Sequence, residues 1–158
     1  MRDHGGDLGA AIARYGGAPE EWIDLSTGIN RAPWPVPALP EAAWRALPSD
    51  AAAEACAASA RAAWGVAASA DVLPLAGAQA AIGLAPRLRP PGRAAVLGPT
   101  YNEHAAAFAA AGWTVAEVAD PAALRGADAA VVVNPNNPDG RRRAPEALLA
   151  LAESVALL

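Results

Sequence analysis

The sequence predicts an α/β protein built around a parallel sheet. Beyond residue 69, short runs rich in valine and leucine alternate with alanine-rich segments of helical length. Glycine and proline mark the boundaries between them, and a proline opens the last helical segment, where its missing N–H leaves no bond unmade. Strand–helix alternation of this kind is typical of parallel sheets with crossover helices.

Residues 69–158 are expected to form one such α/β region. The runs predicted to be strands are residues 72–75, 94–97, 113–118 and 129–133. The segments predicted to be helices are residues 79–88, 103–111 and 145–158. Gly112 directly follows the second helix, and glycine commonly ends helices because it adopts left-handed backbone conformations without strain.

Residues 1–40 are expected to form an N-terminal arm. Within the arm, residues 8–15 favour a short helix and residues 22–25 a short strand. The proline-rich residues 32–37 must be extended, because each proline removes a donor and restricts the residue before it. The arm therefore has little regular structure of its own.

Residues 41–68 are expected to form a helical segment between the arm and the α/β region. Two helices are predicted there, over residues 41–47 and 51–64. Ser49 and Asp50 precede the second helix, and both residue types cap helix starts by accepting from free backbone N–H groups.

Composition excludes several classes of function. The formal net charge is −4, and no basic stripe with interleaved aromatic residues occurs, so nucleic acid is not an expected partner. Cys56 is the single cysteine, and no spacing typical of metal ligands is present, so neither a disulfide nor a metal site is expected. No signal peptide or membrane span is recognisable. These features favour a cytoplasmic protein.

Two of the loops after predicted strands carry residues suited to ligand binding, one to a phosphate and the other to an aromatic ligand. Ligands of open parallel sheets bind beyond the carboxyl ends of the strands. Residues 76–79 place small residues before a helix, which favours a phosphate through free backbone N–H groups, although tight packing explains the same pattern. Tyr101, after the next strand, could lie flat on an aromatic ligand or cap the core.

The third loop, residues 134–140, has the most distinctive sequence, Asn-Pro-Asn-Asn-Pro-Asp-Gly after a run of valines. An Asx-type turn explains one or two of the asparagines, and less easily three in a frame set by two prolines. With the other two loops, this motif resembles the fold-type-I pyridoxal-phosphate enzymes. Their pattern is Asn-Pro-x-Asn-Pro-Thr-Gly, and Asp139 stands here in place of the threonine.

The resemblance implies an aspartate-aminotransferase-like fold, with an incomplete parallel-type sheet and an N-terminal arm. Residues 69–158 would then be the first half of the large cofactor-binding domain. It also implies pyridoxal 5'-phosphate as cofactor and a homodimer for the full-length protein. In the sheet expected from the resemblance, only the strands at residues 94–97 and 113–118 are direct neighbours.

The sequence of the N-terminal arm indicates a particular group within this family. His-Gly-Gly near the N-terminus and Asp-Leu-Ser-Thr-Gly-Ile-Asn at residues 24–30 resemble elements of the threonine-phosphate decarboxylases of cobalamin biosynthesis. The implied parent activity is decarboxylation of L-threonine O-3-phosphate to aminopropanol phosphate. The related histidinol-phosphate-type aminotransferases are an alternative, and an inactive fragment or a non-catalytic cofactor-binding module is another.

The resemblance also implies which residues would form the site. The backbone amides expected to hold the cofactor phosphate belong to Gly77, Ala78 and Gln79. Tyr101 is expected to stack on the pyridine ring, and Asn137 to hydrogen-bond its 3'-oxygen. The residues expected to contact the small phosphorylated amino-acid substrate are His4, Gly5 and Asn30.

The chain contains no lysine, and the 12 residues counted as lysine or arginine are all arginines. The family carries out its chemistry through a lysine that forms a Schiff base with the cofactor, and a guanidinium cannot replace that amine. No catalytic residue is therefore assigned. The chain is expected to be the N-terminal half of a longer enzyme and to be inactive alone.

Overall fold

In the computed structural model, which describes residues 5–30 and 32–158, a three-stranded sheet organises the larger of two units. That unit combines residues 1–31 with residues 82–158, and the second unit comprises residues 32–81. The strands are β1 (Arg93–Leu97), β2 (Thr114–Val118) and β3 (Ala129–Val131). Their order is β2-β1-β3, and both pairings are parallel, which confirms the α/β class.

The expectation that β1 has β2 as its one neighbour is wrong, because β1 also pairs with β3. Ala95 lies opposite Ala116 on one side and Ala130 on the other. The central place of β1 suits its sequence: Ala94 is 1% exposed and Ala95 5%, so successive residues are buried on both faces of the sheet. Continuous apolar runs of this kind are typical of interior parallel strands.

One face of the sheet packs against aromatic side chains. Ala94 and Ala129 form a buried cluster with Phe108 and Trp113, whose rings meet edge to face with centroids 5.2 Å apart. The indole N–H of Trp113 donates to the carbonyl of Pro86 at 2.9 Å, so this polar group is satisfied although it is buried. The aromatic pair fills volume that the alanines of the strands leave open.

The opposite face packs against aliphatic side chains. Ala95 and Leu97 of β1 cluster with Leu124, which is fully buried in a 3₁₀ turn, and with Leu151. Because side chains alternate along a strand, residues 94 and 95 necessarily serve different faces. The sheet is therefore covered on both sides, as a parallel sheet requires.

Two helices flank the sheet. Helix α5 (Glu103–Ala110) follows β1, and helix α6 (Pro145–Ala152) follows the loop after β3. Helix α6 ends before the predicted limit, because the chain turns there and runs beside β3. The N–H of Ala130 donates to the carbonyl of Leu157 at 2.8 Å, which partly satisfies the outer edge of the sheet.

In the arm, helix α1 (Leu8–Tyr15) has the predicted bounds. Asp7 caps it, its side chain accepting from the N–H of Ala10 at 2.9 Å. The predicted strand at residues 22–25 is not formed. A strand needs a partner, and this stretch instead uses the carboxylate of Asp24 to bond the N–H of Ser26 at 2.8 Å.

The regular structure of the second unit is helical. Helix α3 (Asp50–Trp64) matches its prediction within one residue, whereas helix α2 (Ala42–Arg45) is shorter than the helix predicted over residues 41–47. Ser49 accepts from the N–H of Ala52 at the start of α3, and Gly65 ends it in a left-handed conformation at φ 62°. These local caps explain why the sequence alone predicts both ends of α3.

The predicted strand at residues 72–75 is also not formed, and in the described residues it pairs with no strand. Helix α4 (Ala78–Leu84) follows it and gives way to a 3₁₀ turn, Ala85–Arg87, in place of the longer predicted helix. Pro86 explains the change, because proline cannot supply the N–H that would continue an α-helix. No helix of the described residues is long and apolar enough to cross a membrane.

A pair of leucines in α6 tests this packing. Leu151 is 7% exposed and belongs to the aliphatic cluster, whereas Leu149 is 67% exposed on the same helix. Leu151→Ala should lower the free energy of unfolding by about 2–5 kcal/mol, as buried leucine truncations do. Leu149→Ala makes the same change in helix propensity and should cost less than about 0.5 kcal/mol. Equal effects in urea unfolding would contradict the packing.

Candidate cofactor site

Two loops meet at the carboxyl edge of the sheet. One follows β1 and carries Pro99, Thr100 and Tyr101, and the other follows β3 and spans residues 134–140. Because β1 and β3 are parallel neighbours, their loops leave the same edge side by side. Within the described residues, the proline peptide bonds that are cis all lie in these loops, at Gly98–Pro99, Asn134–Pro135 and Asn137–Pro138.

The side chain of Asn136 joins the two loops. Its oxygen accepts from the hydroxyl of Thr100 at 2.7 Å, and its nitrogen donates to the carbonyl of Pro99 at 3.1 Å. The same nitrogen donates to a carboxylate oxygen of Asp139 at 2.8 Å, within its own loop. Asn136 thus spans the gap between neighbouring loops with both ends of its amide.

Asn134 closes the base of the second loop. Its nitrogen donates to the carbonyl of Arg143 at 3.2 Å, and its oxygen accepts from the N–H of the same residue at 2.9 Å. Within the loop that this pair of bonds closes, the N–H of Asn136 donates to the carbonyl of Arg141 at 2.8 Å. The loop is therefore held by its own polar groups as well as by proline.

Asp139, which replaces the threonine of the family pattern, also serves the loop. Its carboxylate accepts from the N–H of Arg141 at 3.0 Å as well as from Asn136. The backbone bond from Arg141 and then the bond from Asn136 lower the pKa of this exposed carboxyl below its usual value. An acceptor therefore remains at this position although the residue type differs from the pattern.

The third asparagine, Asn137, is different. Its side-chain amide has no hydrogen-bond partner among the described residues, and the residue is exposed. Only its backbone carbonyl is bonded, accepting from the hydroxyl of Thr100 at 3.4 Å. Of the three asparagine side chains in the motif, two are used internally and this one has a donor available for a ligand.

Tyr101 lies next to Thr100 and is half-buried. Its ring meets the imidazole of His104 edge-on, with centroids 6.2 Å apart and planes at 83°. Desolvation by burial lowers the pKa of His104 from its usual value of 6.5, which favours the neutral imidazole. The helix start thus supports the tyrosine from one side with an uncharged ring.

The N-terminal arm reaches the same region. Gly6 donates its N–H to the hydroxyl of Ser26 at 2.7 Å, and that hydroxyl donates to Asp24 at 2.6 Å. Gly5 packs so closely that an added Cβ would lie 2.5 Å from the carbonyl oxygen of Ser26, and its φ of 61° also favours glycine. The predicted substrate residue Gly5 is thereby docked onto the segment that precedes Gly28.

Gly28 connects this segment to the motif, because a Cβ built on it would lie 3.9 Å from the side-chain oxygen of Asn137. The arm therefore runs past the asparagine predicted to contact the cofactor. Asn30, two residues further on, is exposed. The predicted contact residue His4 lies outside the described residues.

The predicted phosphate loop belongs to the second unit. Gly77 has φ 81° and immediately precedes helix α4, which begins at Ala78. The N–H of Gly77 donates to the carbonyl of Leu75 at 2.8 Å, so a phosphate would have to compete for that donor. Ala78 and Gln79 lie in the first turn of this helix.

Sequence reasoning missed Thr100, Asn136 and Ser26. The sequence marks the three asparagines as unusual, but nothing in their order indicates which of them serve the loop and which is left for a ligand. The two prolines give no such signal either, because Asn136 and Asn137 both lie between Pro135 and Pro138.

The chain belongs to the aminotransferase class I and II family, whose model matches residues 20–157. Enzymes of this family use pyridoxal phosphate, and the resemblance stated from the motifs is confirmed.

Two curated relatives both carry the name threonine-phosphate decarboxylase. The protein from Sinorhizobium sp. is 50% identical over 151 residues, which cover 94% of this chain and 45% of the relative. The protein from Pseudomonas aeruginosa is 48% identical over 156 residues, or 95% of this chain and 45% of the relative. The chain thus spans about half the length of the curated relatives it matches.

The described residues fit the cofactor of this family. An aromatic side chain and an available amide donor stand on neighbouring loops at the carboxyl edge, as a flat pyridine ring with an oxygen substituent requires. Asn137 is the strongest part of this fit, because its amide has no partner elsewhere in the described chain.

The burial of His104 leads to a prediction about its titration. A histidine whose pKa is lowered by folding contributes stability above its unfolded pKa, near 6.5, and loses it as the pH falls through the folded value. In the variant His4→Asn, which leaves one histidine, the imidazole proton signals should titrate at lower pH in the native chain than in urea. A native midpoint equal to or above the unfolded one would contradict the burial.

Proposed function

We propose that this chain supplies the N-terminal part of a pyridoxal-phosphate-dependent threonine-phosphate decarboxylase, with an aspartate-aminotransferase-like fold. The observation that carries the proposal is the available amide of Asn137 beside the loop of Tyr101. The names of the two relatives support the choice of decarboxylation within the family. The decarboxylated substrate would be L-threonine O-3-phosphate and the product aminopropanol phosphate, in cobalamin biosynthesis.

When bound, pyridoxal phosphate supplies an electron sink for the bond that breaks at the substrate α-carbon. The residues of this chain would bind and orient it. Tyr101 would stack on the ring, and the amide of Asn137 would donate to the 3'-oxygen. Backbone amides would hold the phosphate at the start of α4, and those residues are Gly77, Ala78 and Gln79.

The arm would recognise the substrate. Gly5 and Gly6 rest on Ser26, whose hydroxyl is fixed by Asp24, so this turn has a defined place in its unit. Backbone groups of a tight glycine turn suit a small anionic amino acid, because no side chain keeps the ligand away. The residues proposed to contact the phosphorylated substrate are His4, Gly5 and Asn30.

The amine that bonds the cofactor must come from outside these 158 residues, because the chain contains no lysine and a guanidinium does not form Schiff bases. We place the full-length protein in the cytoplasm as a homodimer. The exposed free thiol of Cys56 suits a reducing compartment. Large apolar side chains such as Trp44 and Leu47, 74% and 91% exposed, suit association with another surface.

A chimeric enzyme tests the proposed activity. Joining residues 1–158 to the C-terminal part of the Sinorhizobium relative, which lies beyond the matched region, should give an enzyme that releases carbon dioxide from L-threonine O-3-phosphate. Transamination of the substrate without release of carbon dioxide would contradict the decarboxylase and indicate an aminotransferase. The matched control is the same chimera with its C-terminal lysines replaced by arginine, which should be inactive.

Asn137 tests the cofactor contact separately. In the 158-residue chain, Asn137→Ala should weaken retention of pyridoxal phosphate in equilibrium dialysis by about threefold to tenfold, because one hydrogen bond is lost. Asn102→Ala is a matched control, since Asn102 is exposed in the neighbouring loop and caps no helix with its side chain. Equal retention by the two variants would contradict the role of Asn137.

A further inference from the structure

We propose that Thr100 and Asn136 are positioning residues that set the spacing between Tyr101 and Asn137, an inference that rests on the proposed cofactor site. Neither residue would touch the cofactor. Each would act through the residue that follows it in the chain, and the hydrogen bond between them would hold the stacking ring and the amide donor at one separation.

The connection along the chain is as short as it can be. Thr100 immediately precedes Tyr101, and Asn136 immediately precedes Asn137. Successive Cα atoms are about 3.8 Å apart and the peptide between them is planar, so a displaced residue moves its neighbour. The 2.7 Å bond between Thr100 and Asn136 therefore joins the two loops one residue away from each predicted contact.

The hydrogen bond between Thr100 and Asn136 is one of several that these two side chains make. Both Thr100 and Asn136 are half-buried, and the Asn136 nitrogen already donates to the carbonyl of Pro99 and to Asp139. The Thr100 hydroxyl lies 2.7 Å from the Asn136 oxygen and 3.4 Å from the carbonyl of Asn137. Loss of the hydroxyl would leave the side-chain oxygen of the half-buried Asn136 without this donor, and that oxygen has less access to water than an exposed group has.

The base of the site does not depend on this bond. Pairing of β1 with β3 holds the start of both loops, and Asn134 with Arg143 closes the second loop near its base. Removing the hydroxyl of Thr100 should therefore leave the fold in place and loosen the tips of the loops. A role confined to folding would lower stability without changing cofactor affinity in the folded chain.

The experiment measures the dissociation constant of pyridoxal phosphate for the 158-residue chain by equilibrium dialysis, together with the induced circular dichroism of the bound cofactor. Thr100→Val removes the hydroxyl and keeps the branched shape. It should raise the dissociation constant about threefold to tenfold and reduce the induced signal per bound cofactor. Thr100→Ser keeps the hydroxyl and should restore both to within about twofold.

A double-mutant cycle identifies the partner. Asn136→Ala should weaken binding at least as much as Thr100→Val, and combining the two should add little, because both remove the same bond. Thermal unfolding of each variant, followed by circular dichroism of the backbone, verifies that the binding measurements are made on folded chain. Additive losses in the double mutant would overturn the proposed coupling.

The remaining outcomes distinguish a failure of the positioning role from a failure of the proposed cofactor site. One outcome is that the wild-type chain retains the cofactor and that Thr100→Val binds it with the same affinity and the same induced signal. This result would overturn the positioning role but would not contradict the cofactor site. Equal weakening by Thr100→Val and Thr100→Ser would overturn it too, because the hydroxyl would not be responsible. No retention by the wild-type chain would contradict the proposed cofactor site, and the inference would fall with it.

Discussion

The pairing of β1 with both β2 and β3 is the constraint on which the candidate site depends. In a parallel sheet every strand ends at the same edge, so the loops after β1 and β3 are adjacent although about 35 residues separate them in the chain. The small side chains of Ala94 and Ala95 allow helical layers on both faces. The parallel pairing of β1 with β3 thus brings Tyr101 and Asn137 to one edge.

In the polar loops at that edge, some side chains hold the loop structure and others remain for binding. Asn134 and Asn136 satisfy backbone groups and each holds a different part of the loop, while Asp139 completes the turn. A loop stiffened in this way can present Asn137 without using it. Such preorganisation matters because a ligand then loses less free energy in ordering the groups that bind it.

Features encoded locally could be predicted from the sequence. Helix α3 begins after Ser49 and ends at Gly65 because caps near in sequence determine both ends. The failed strands at residues 22–25 and 72–75 have suitable local sequences, but a strand exists only where a partner is present. The neighbours of β1 were predicted wrongly for the same reason, since pairing is decided between distant segments.

The same distinction applies to the candidate site. Tyr101 and Asn137 were predicted because their motifs are contiguous in sequence, whereas their roles toward the cofactor stay predictions. The bond between Thr100 and Asn136 joins residues 36 apart and depends on the order of strands, so no motif contains it. Polar side chains that support a site across a sheet are the part of its design that sequence patterns describe least well.

A crystal structure of this chain with pyridoxal phosphate would test the central claim most directly. The account predicts the pyridine ring stacked on Tyr101, with its 3'-oxygen about 2.7–3.2 Å from the side-chain nitrogen of Asn137. A cofactor bound at another surface, or one whose ring turns its oxygen away from Asn137, would contradict it.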